Sequence, residues 1–299
     1  MPTPDSAQTS SQDRAALLIE DIRDLPTPPL VFTQIVKVVD DPDTSAYEVA
    51  AIIAEDPAMS AKVLRITNSA FYGLSGTVTS VKQAVVIIGL NGVKSLVVST
   101  SVIDMFKGDR VGREFQDLFW RHSLAAAFGC RMLMRTLRPG DFGASELAFS
   151  TGLLHDIGKM AMYMTSPETC QRIFAAHGTP DDELRSEREA FGCTHLEVGD
   201  KLTKKWNLPA ELSAAIAHHH VPMSQEGEGC HLTDVLHVAD ALAYHLLANG
   251  AQEVTAPRID PSVFERSGLK LEAAGEYMDM MKAEYLQAET FLNMARGAA

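Results

Sequence analysis

Helix-start signals recur along this chain so regularly that they argue against any extended sheet. Ser45-Ala-Tyr-Glu48 is a capping box opening "AYEVAAIIAED", Asp56-Pro57 sets an N-cap before a proline at the first helical position, and Ser80-Val-Lys-Gln83 opens a further helix. The segments between them, "DDPDTS", "FYGLSGTVTS" and "GLNG", are rich in Pro, Gly and Asp, and apolar-polar alternation of period two is hard to find. The expected fold class is therefore all-α. "VKQAVVIIGL" and "SLVVSTSVI" are β-branched enough to resemble strands, yet their caps and flanks make them buried helices.

With 299 residues, 46% of them hydrophobic, the chain can bury a substantial core. Residues 1–14 are polar, and 1–18 are read as a disordered tail; 19–105 form a bundle of short helices. A polar, glycine-bearing stretch, "MFKGDRVGREF" (105–115), marks a boundary before a second helical unit, 115–250, and residues 260–299 form a helical extension. In that extension Tyr277, Met278, Met281, Tyr285, Ala288 and Leu292 approximate one stripe along a long amphipathic helix, expected to pack on the chain's own core, with a partner-binding or dimer helix as the alternative. No internal repeat is visible.

Composition narrows the partners. The net charge is −13 with no dense Lys/Arg cluster to offset it locally, which argues against binding a nucleic-acid backbone. The N-terminal residues carry neither a basic start nor an apolar h-region, and no run approaches the roughly 20 apolar residues of a membrane span, so a cytoplasmic protein is expected. Cys130, Cys170, Cys193 and Cys230 show no C-x-x-C spacing and read as reduced core thiols.

Ionisable residues on the apolar stripe of a helix are costly unless paired, neutralised or bound to metal. Five segments carry such positions. His122 shares its face with Leu118, Phe119, Ala125, Ala126 and Gly129; His195 lies with Phe191, Val198, Gly199 and Leu202; His219 and His220 follow Ala215 and Ile216 by four; Asp240 stands between Leu236 and Ala243; and "GLLHDIGK" contributes His155 and Asp156. Taken singly, each reads as a hydrogen-bonded core residue. Together they make a ligand set for one or two divalent ions inside a helical bundle, with iron, manganese and zinc indistinguishable by residue type. Asp156 can bridge two ions, and an open position would hold a water whose lowered pKa makes it a nucleophile toward a phosphoester. Lys159, one turn after His155, is either a phosphate contact or a solvated lysine near a helix end. His177, His218, His231, His237 and His245 read as ordinary loop or surface residues.

The order His122, His155-Asp156, His195, His219, His220, Asp240 resembles the HD superfamily of metal-dependent phosphohydrolases, and in spacing the HD-GYP branch, which hydrolyses cyclic di-GMP. It departs after the paired histidines, where "HHVPMSQEGEGC" replaces that branch's glycine-rich recognition segment. The N-terminal half instead resembles the HDOD domain: the "LPTPP" entry, "DPDTSAYEVAAIIAEDPAMSAKVLRITNSAFYG" and "SVKQAVVIIGL", with "WNLPAELSAAIAHHHVP" and "HVADALA" downstream, so that the likeness covers about residues 20–250. It implies an N-terminal helical bundle packed on an HD-type bundle, and a module of bacterial signalling that works through other signalling proteins. HDOD members often lack ligands of the HD site, whereas every position is kept here. The resemblance also leaves an active phosphohydrolase as the alternative, with Asp156 and Lys159 as its catalytic residues and a nucleotide as candidate ligand. Within "NSAFYG", a candidate docking segment, Phe71 and Tyr72 read as core.

Overall fold

The computed structural model describes residues 10–22, 25–39, 41–107, 111–174, 179–222, 232–247 and 259–296, and among them every regular element is helical. Five helices precede residue 106: α1 (Ser11–Asp21), α2 (Leu30–Val39), α3 (Ala46–Ala54), α4 (Pro57–Thr67) and α5 (Val81–Met105). The sequence-derived N-caps form, though at Ser45 without the return bond to the Glu48 side chain that a capping box requires. Ser45, Asp56 and Ser80 each accept the backbone N–H three residues on, at 3.2, 2.9 and 3.2 Å.

Residues 11–18 depart from the expected disordered tail. Ser10 caps α1 by accepting the Asp13 N–H, and Ala15, Leu18 and Ile19 recur at helical spacing and are buried; residues 1–9 lie outside the described residues. In α5 the β-branched run is helical but only partly buried. Val86 and Ile87 before the kink at Gly89 are exposed, while residues 92–103 beyond it are buried. Contrary to the sequence expectation, α5 does have the length and mean hydropathy of a membrane span. However, 67% of its apolar window is buried inside the protein, as in a core helix.

The second unit comprises α6 (Arg113–Leu137), α7 (Phe142–Leu154), α8 (Ile157–Thr165), α9 (Pro167–Phe174), α10 (Pro180–Phe191), α11 (His195–Lys205), α12 (Ala210–His218) and α13 (Leu232–Leu247). One apolar core runs from Ala15 on α1 through Val102 on α5 to Phe149 on α7 and Ile216 on α12, so it does not stop at 105–115. The C-terminal stripe folds as α14 (Pro261–Ser267), a 3-10 turn at Leu271–Ala273, α15 (Ala274–Tyr285) and α16 (Ala288–Ala295). It is not one long helix: the chain turns at Leu286–Gln287, which lets Tyr277 and Met281 reach one part of the core and Phe291 and Leu292 another.

A buried cation joins the two halves. The Arg131 guanidinium on α6 lies 3.9 Å from the ring centroid of Phe71, close to Phe128 and Phe149, and Phe71 also packs on Phe291. Its Nη2 donates to Glu284 at 3.1 Å. Phe71 is thus core, as expected, while Tyr72 is half-buried, its hydroxyl donating to the buried Glu146 at 3.3 Å.

Two glycines of "GLLHDIGK" allow backbones to meet. A Cβ on Gly152 would stand 2.7 Å from the backbone of Ala126 and Ala127 on α6. One on Gly158 would stand 2.1 Å from the His195 carbonyl oxygen and 2.9 Å from the Gly199 nitrogen on α11. Backbone cannot swing aside as a side-chain tip can, so Gly158→Ala is expected to destabilise the fold by about 3 kcal/mol, the upper end for overpacking. Gly76→Ala, which meets nothing within 4 Å, should stay within about 0.5 kcal/mol of the wild type. Urea denaturation of the two variants tests this; equal midpoints would contradict the contact.

Candidate metal centre

The ligand candidates reach one place from five directions. His122 comes from α6, His155 and Asp156 from the turn between α7 and α8, His195 from the first position of α11, His219 and His220 from the end of α12, and Asp240 from α13. The start of α11 is fixed by Glu197, whose carboxylate accepts both the amide (2.6 Å) and the hydroxyl (2.9 Å) of Thr194.

Asp156 lies at the centre, one carboxylate oxygen toward each of two groups. Its Oδ2 is 3.4 Å from His155 Nε2 and 3.8 Å from His122 Nε2; these two imidazoles are 3.3 Å apart and stand 3.4 and 2.9 Å from Asp240 Oδ1. Its Oδ1 is 3.4 Å from His195 Nε2 and 3.7 Å from His219 Nε2, and His220 completes this second group, all of whose donor atoms lie within 4.8 Å of one another. Donors bound at about 2.1 Å to one ion stand about 3.0 Å apart at right angles and about 3.4 Å apart at tetrahedral angles. The spacings of 2.9–3.4 Å meet that requirement, and the wider ones of 3.7 and 3.8 Å would have to close slightly around an ion. Asp156 Oδ1 and the Nε2 atoms of His195, His219 and His220 are moreover buried without a hydrogen-bond partner among the described residues, an expensive state that a cation would relieve.

Outer contacts aim the rings. His155 Nδ1 lies 2.7 Å from the Gly152 carbonyl and His219 Nδ1 lies 2.9 Å from that of Ile216, so each donates there and turns Nε2 inward. His195 Nδ1 is held by both carboxylate oxygens of Glu187, at 2.8 and 2.9 Å, and Glu187 also accepts the His195 amide at 2.9 Å. Lys159 is buried, not solvated. Its ammonium stands 3.0 Å from Asp156 Oδ2 and 2.8 Å from Glu183 Oε1.

Residues 25–222 match the pattern of the HDOD domain, about two thirds of the chain. The chain belongs to the HDOD domain family. Solved structures share its fold: an HDOD domain protein of unknown function from Geobacter sulfurreducens (22% identity, 96% of each chain covered, TM-score 0.67) and a candidate phosphohydrolase from Shewanella amazonensis (24%, 93% of this chain and 98% of that one, 0.70). A candidate signal transduction protein from Marinobacter aquaeolei is also similar, at 20% identity over 97% of this chain and 68% of that one, with a TM-score of 0.74. An uncharacterized protein of Treponema pallidum (strain Nichols) is 26% identical over 223 residues, which are 73% of this chain. The matched region spans 42% of that longer protein. Asp240 lies beyond the matched HDOD residues, yet α13 returns it to the site.

In this HDOD protein all seven ligand candidates converge, together with Lys159. Glu183 and Glu187 on α10 were not singled out in the sequence, although Leu184, Glu187 and Phe191 share a helical face and the rule that selected His195 would also have found Glu187. His237 is no surface residue: it is buried, donates from Nδ1 to the His219 carbonyl at 2.6 Å and accepts the Asp260 N–H at 3.1 Å. Leu118 is exposed, off the buried face assigned to it, whereas His218 and His245 stay outside the site. Cys130, Cys170 and Cys193 are buried free thiols; Cys230, His177 and His231 lie outside the described residues.

The charges sort the imidazoles. Burial drives His219 well below its ordinary pKa and takes His220 down to about 3, so both offer free lone pairs at neutral pH. Burial also pulls on His155, but Asp156 and Asp240 outweigh it and hold that group at about 10. Burial of Asp156 is likewise outweighed by His155 and Lys159, which keep its carboxyl well below the usual range. His155 is thus protonated at pH 7 in the ion-free protein and must lose its proton to become a ligand. Glu187 likewise outweighs burial at His195 and raises that group, so metal binding should release at least the His155 proton, with His195 adding to it, and affinity should rise with pH between about 7 and 10. Titration calorimetry in buffers of different ionisation enthalpy measures the release; a buffer-independent heat would contradict it.

Proposed function

We propose that this chain is an HDOD-type signal-transduction module that holds one or two divalent ions on His122, His155, Asp156, His195, His219, His220 and Asp240, and acts by binding other signalling proteins. The observation that carries the metal reading is the set of four buried, unpartnered donor atoms that converge, one of them on the bridging Asp156. Family membership and the fold shared with a candidate signal transduction protein support the regulatory role. The buried and paired state of Lys159 also favours regulation over catalysis, because an ammonium clasped by Asp156 and Glu183 has to leave both to contact a phosphate.

The alternative is a phosphohydrolase acting on a nucleotide or cyclic nucleotide. It is favoured by the carboxylate bridging two imidazole groups and by the 15% exposure of the His122 side chain, which opens that edge of an otherwise closed site. Divalent ions held there would supply Lewis acidity and acidify a bound water. In that case Asp156 holds the two ligand groups in register, and Lys159 sets the charge beside it.

Elemental analysis of tag-free protein is expected to find iron, manganese or zinc in stoichiometric amount, reduced at least tenfold in His155→Ala and Asp156→Ala. Turnover of bis(p-nitrophenyl) phosphate and cyclic di-GMP should not exceed that of Asp156→Ala. Metal-dependent turnover in the wild type alone would replace the regulatory reading with the enzymatic one, and metal-free wild type that takes up none of the three ions would end both.

A further inference from the structure

The seven ligands fall into two halves that differ in what each does without an ion. In the inner half, Asp156 Oδ1 and the Nε2 atoms of His195, His219 and His220 are buried and meet no hydrogen-bond partner among the described residues. Their orientation is nevertheless fixed from behind. Glu187, itself fully buried, grips the His195 ring and amide from α10. The Ile216 carbonyl takes the His219 ring proton, and the His219 carbonyl is in turn held by His237, which Asp260 fixes from the far side. Asp156 Oδ1 stands 3.4 Å from His195 Nε2 and 3.7 Å from His219 Nε2, but none of these atoms is hydrogen-bonded, so an ion entering here displaces no hydrogen bond between ligands.

The outer half is arranged differently. His122 Nε2 is within hydrogen-bond distance of both Asp240 Oδ1 (2.9 Å) and His155 Nε2 (3.3 Å), so these ligands are already hydrogen-bonded to one another. None of the donor atoms of His122, His155 and Asp240 is without a partner. An ion here must displace existing contacts, and it does so beside the one ligand with appreciable solvent exposure.

From this asymmetry we infer that the site fills in order. The inner half holds its ion tightly, with Glu187 as the positioning residue that fixes His195, and the outer half holds a second ion that exchanges with solvent. Preorganised donors bind with little reorganisation, whereas self-paired donors give back part of what the ion provides. A carboxylate behind a ligating imidazole contributes about 10- to 100-fold in metal affinity. The inference rests on the metal-binding reading above and adds the order of loading, which makes the outer position the part of the site able to respond to ion supply.

The test is titration of chelator-stripped full-length protein with manganese(II), read by calorimetry and by equilibrium dialysis with elemental analysis. Two binding events at least tenfold apart in Kd are expected. His122→Ala should lose the weaker event alone. Glu187→Gln should weaken the tighter event by about 10- to 100-fold and leave the weaker one in place, and Glu187→Asp, which keeps the carboxylate, should recover part of that loss. Two events of equal affinity, or loss of the tighter one in His122→Ala, would overturn the order, and that variant decides the matter even if Glu187→Gln does not fold. An unchanged tight event in folded Glu187→Gln would remove Glu187 from its role. No uptake by the wild type would instead overturn metal binding itself, a result distinct from either.

Discussion

The charge of Asp156 organises this molecule. A carboxylate taken out of water needs compensation on every side, and here one oxygen faces His122 and His155 while the other faces His195 and His219. Compensation then propagates outward. Lys159 approaches Asp156 and, being buried itself, requires Glu183; His195 turns toward Asp156 and requires Glu187 on its other nitrogen. Glu183 and Glu187 stand one turn apart on α10, so a helix that contributes no ligand becomes necessary to those that do. Removing one member leaves another charge stranded, which is why such networks resist piecemeal change.

Much of this plan could be read from the residues. The helical class followed from caps whose chemistry is local: Ser45, Asp56 and Ser80 bond within three residues of themselves, so no tertiary knowledge was needed. The ligand candidates stood out because an imidazole on an apolar stripe is conspicuous. The acids behind them did not. Glu187 is embedded in "PDDELRSEREAF", where Asp181, Asp182, Glu183 and Glu189 make a carboxylate look like solvated surface. The burial of Lys159 and of His237 was not foreseen for a related reason, since the Glu183 and His219 that hold them are tertiary partners that leave no sign in the neighbouring sequence.

Exposure was less legible than helicity. Val86 and Ile87 precede Gly89, where the backbone leaves helical geometry (φ 77°), and the kink decides which part of α5 enters the core. Likewise the stripe from Tyr277 to Leu292 is continuous in sequence but divided in space, because its two ends fill different parts of the interior. Periodicity reports that a face is apolar; which surface it meets depends on turns that periodicity does not encode.

The aromatic enclosure around Arg131 has a mechanical consequence. Phe149 packs in that enclosure against Phe71 from the N-terminal half, and six residues later the same helix delivers His155 to the candidate metal centre. Six residues of helix are about 9 Å of nearly incompressible rod. Gly152, between them, lies against the backbone of α6, which leaves α7 no clearance to slide alone. The joint between the halves and the candidate metal site therefore share one rigid segment, so the position of His155 is set by the packing of Phe149 on "NSAFYG" as well as by its own contacts.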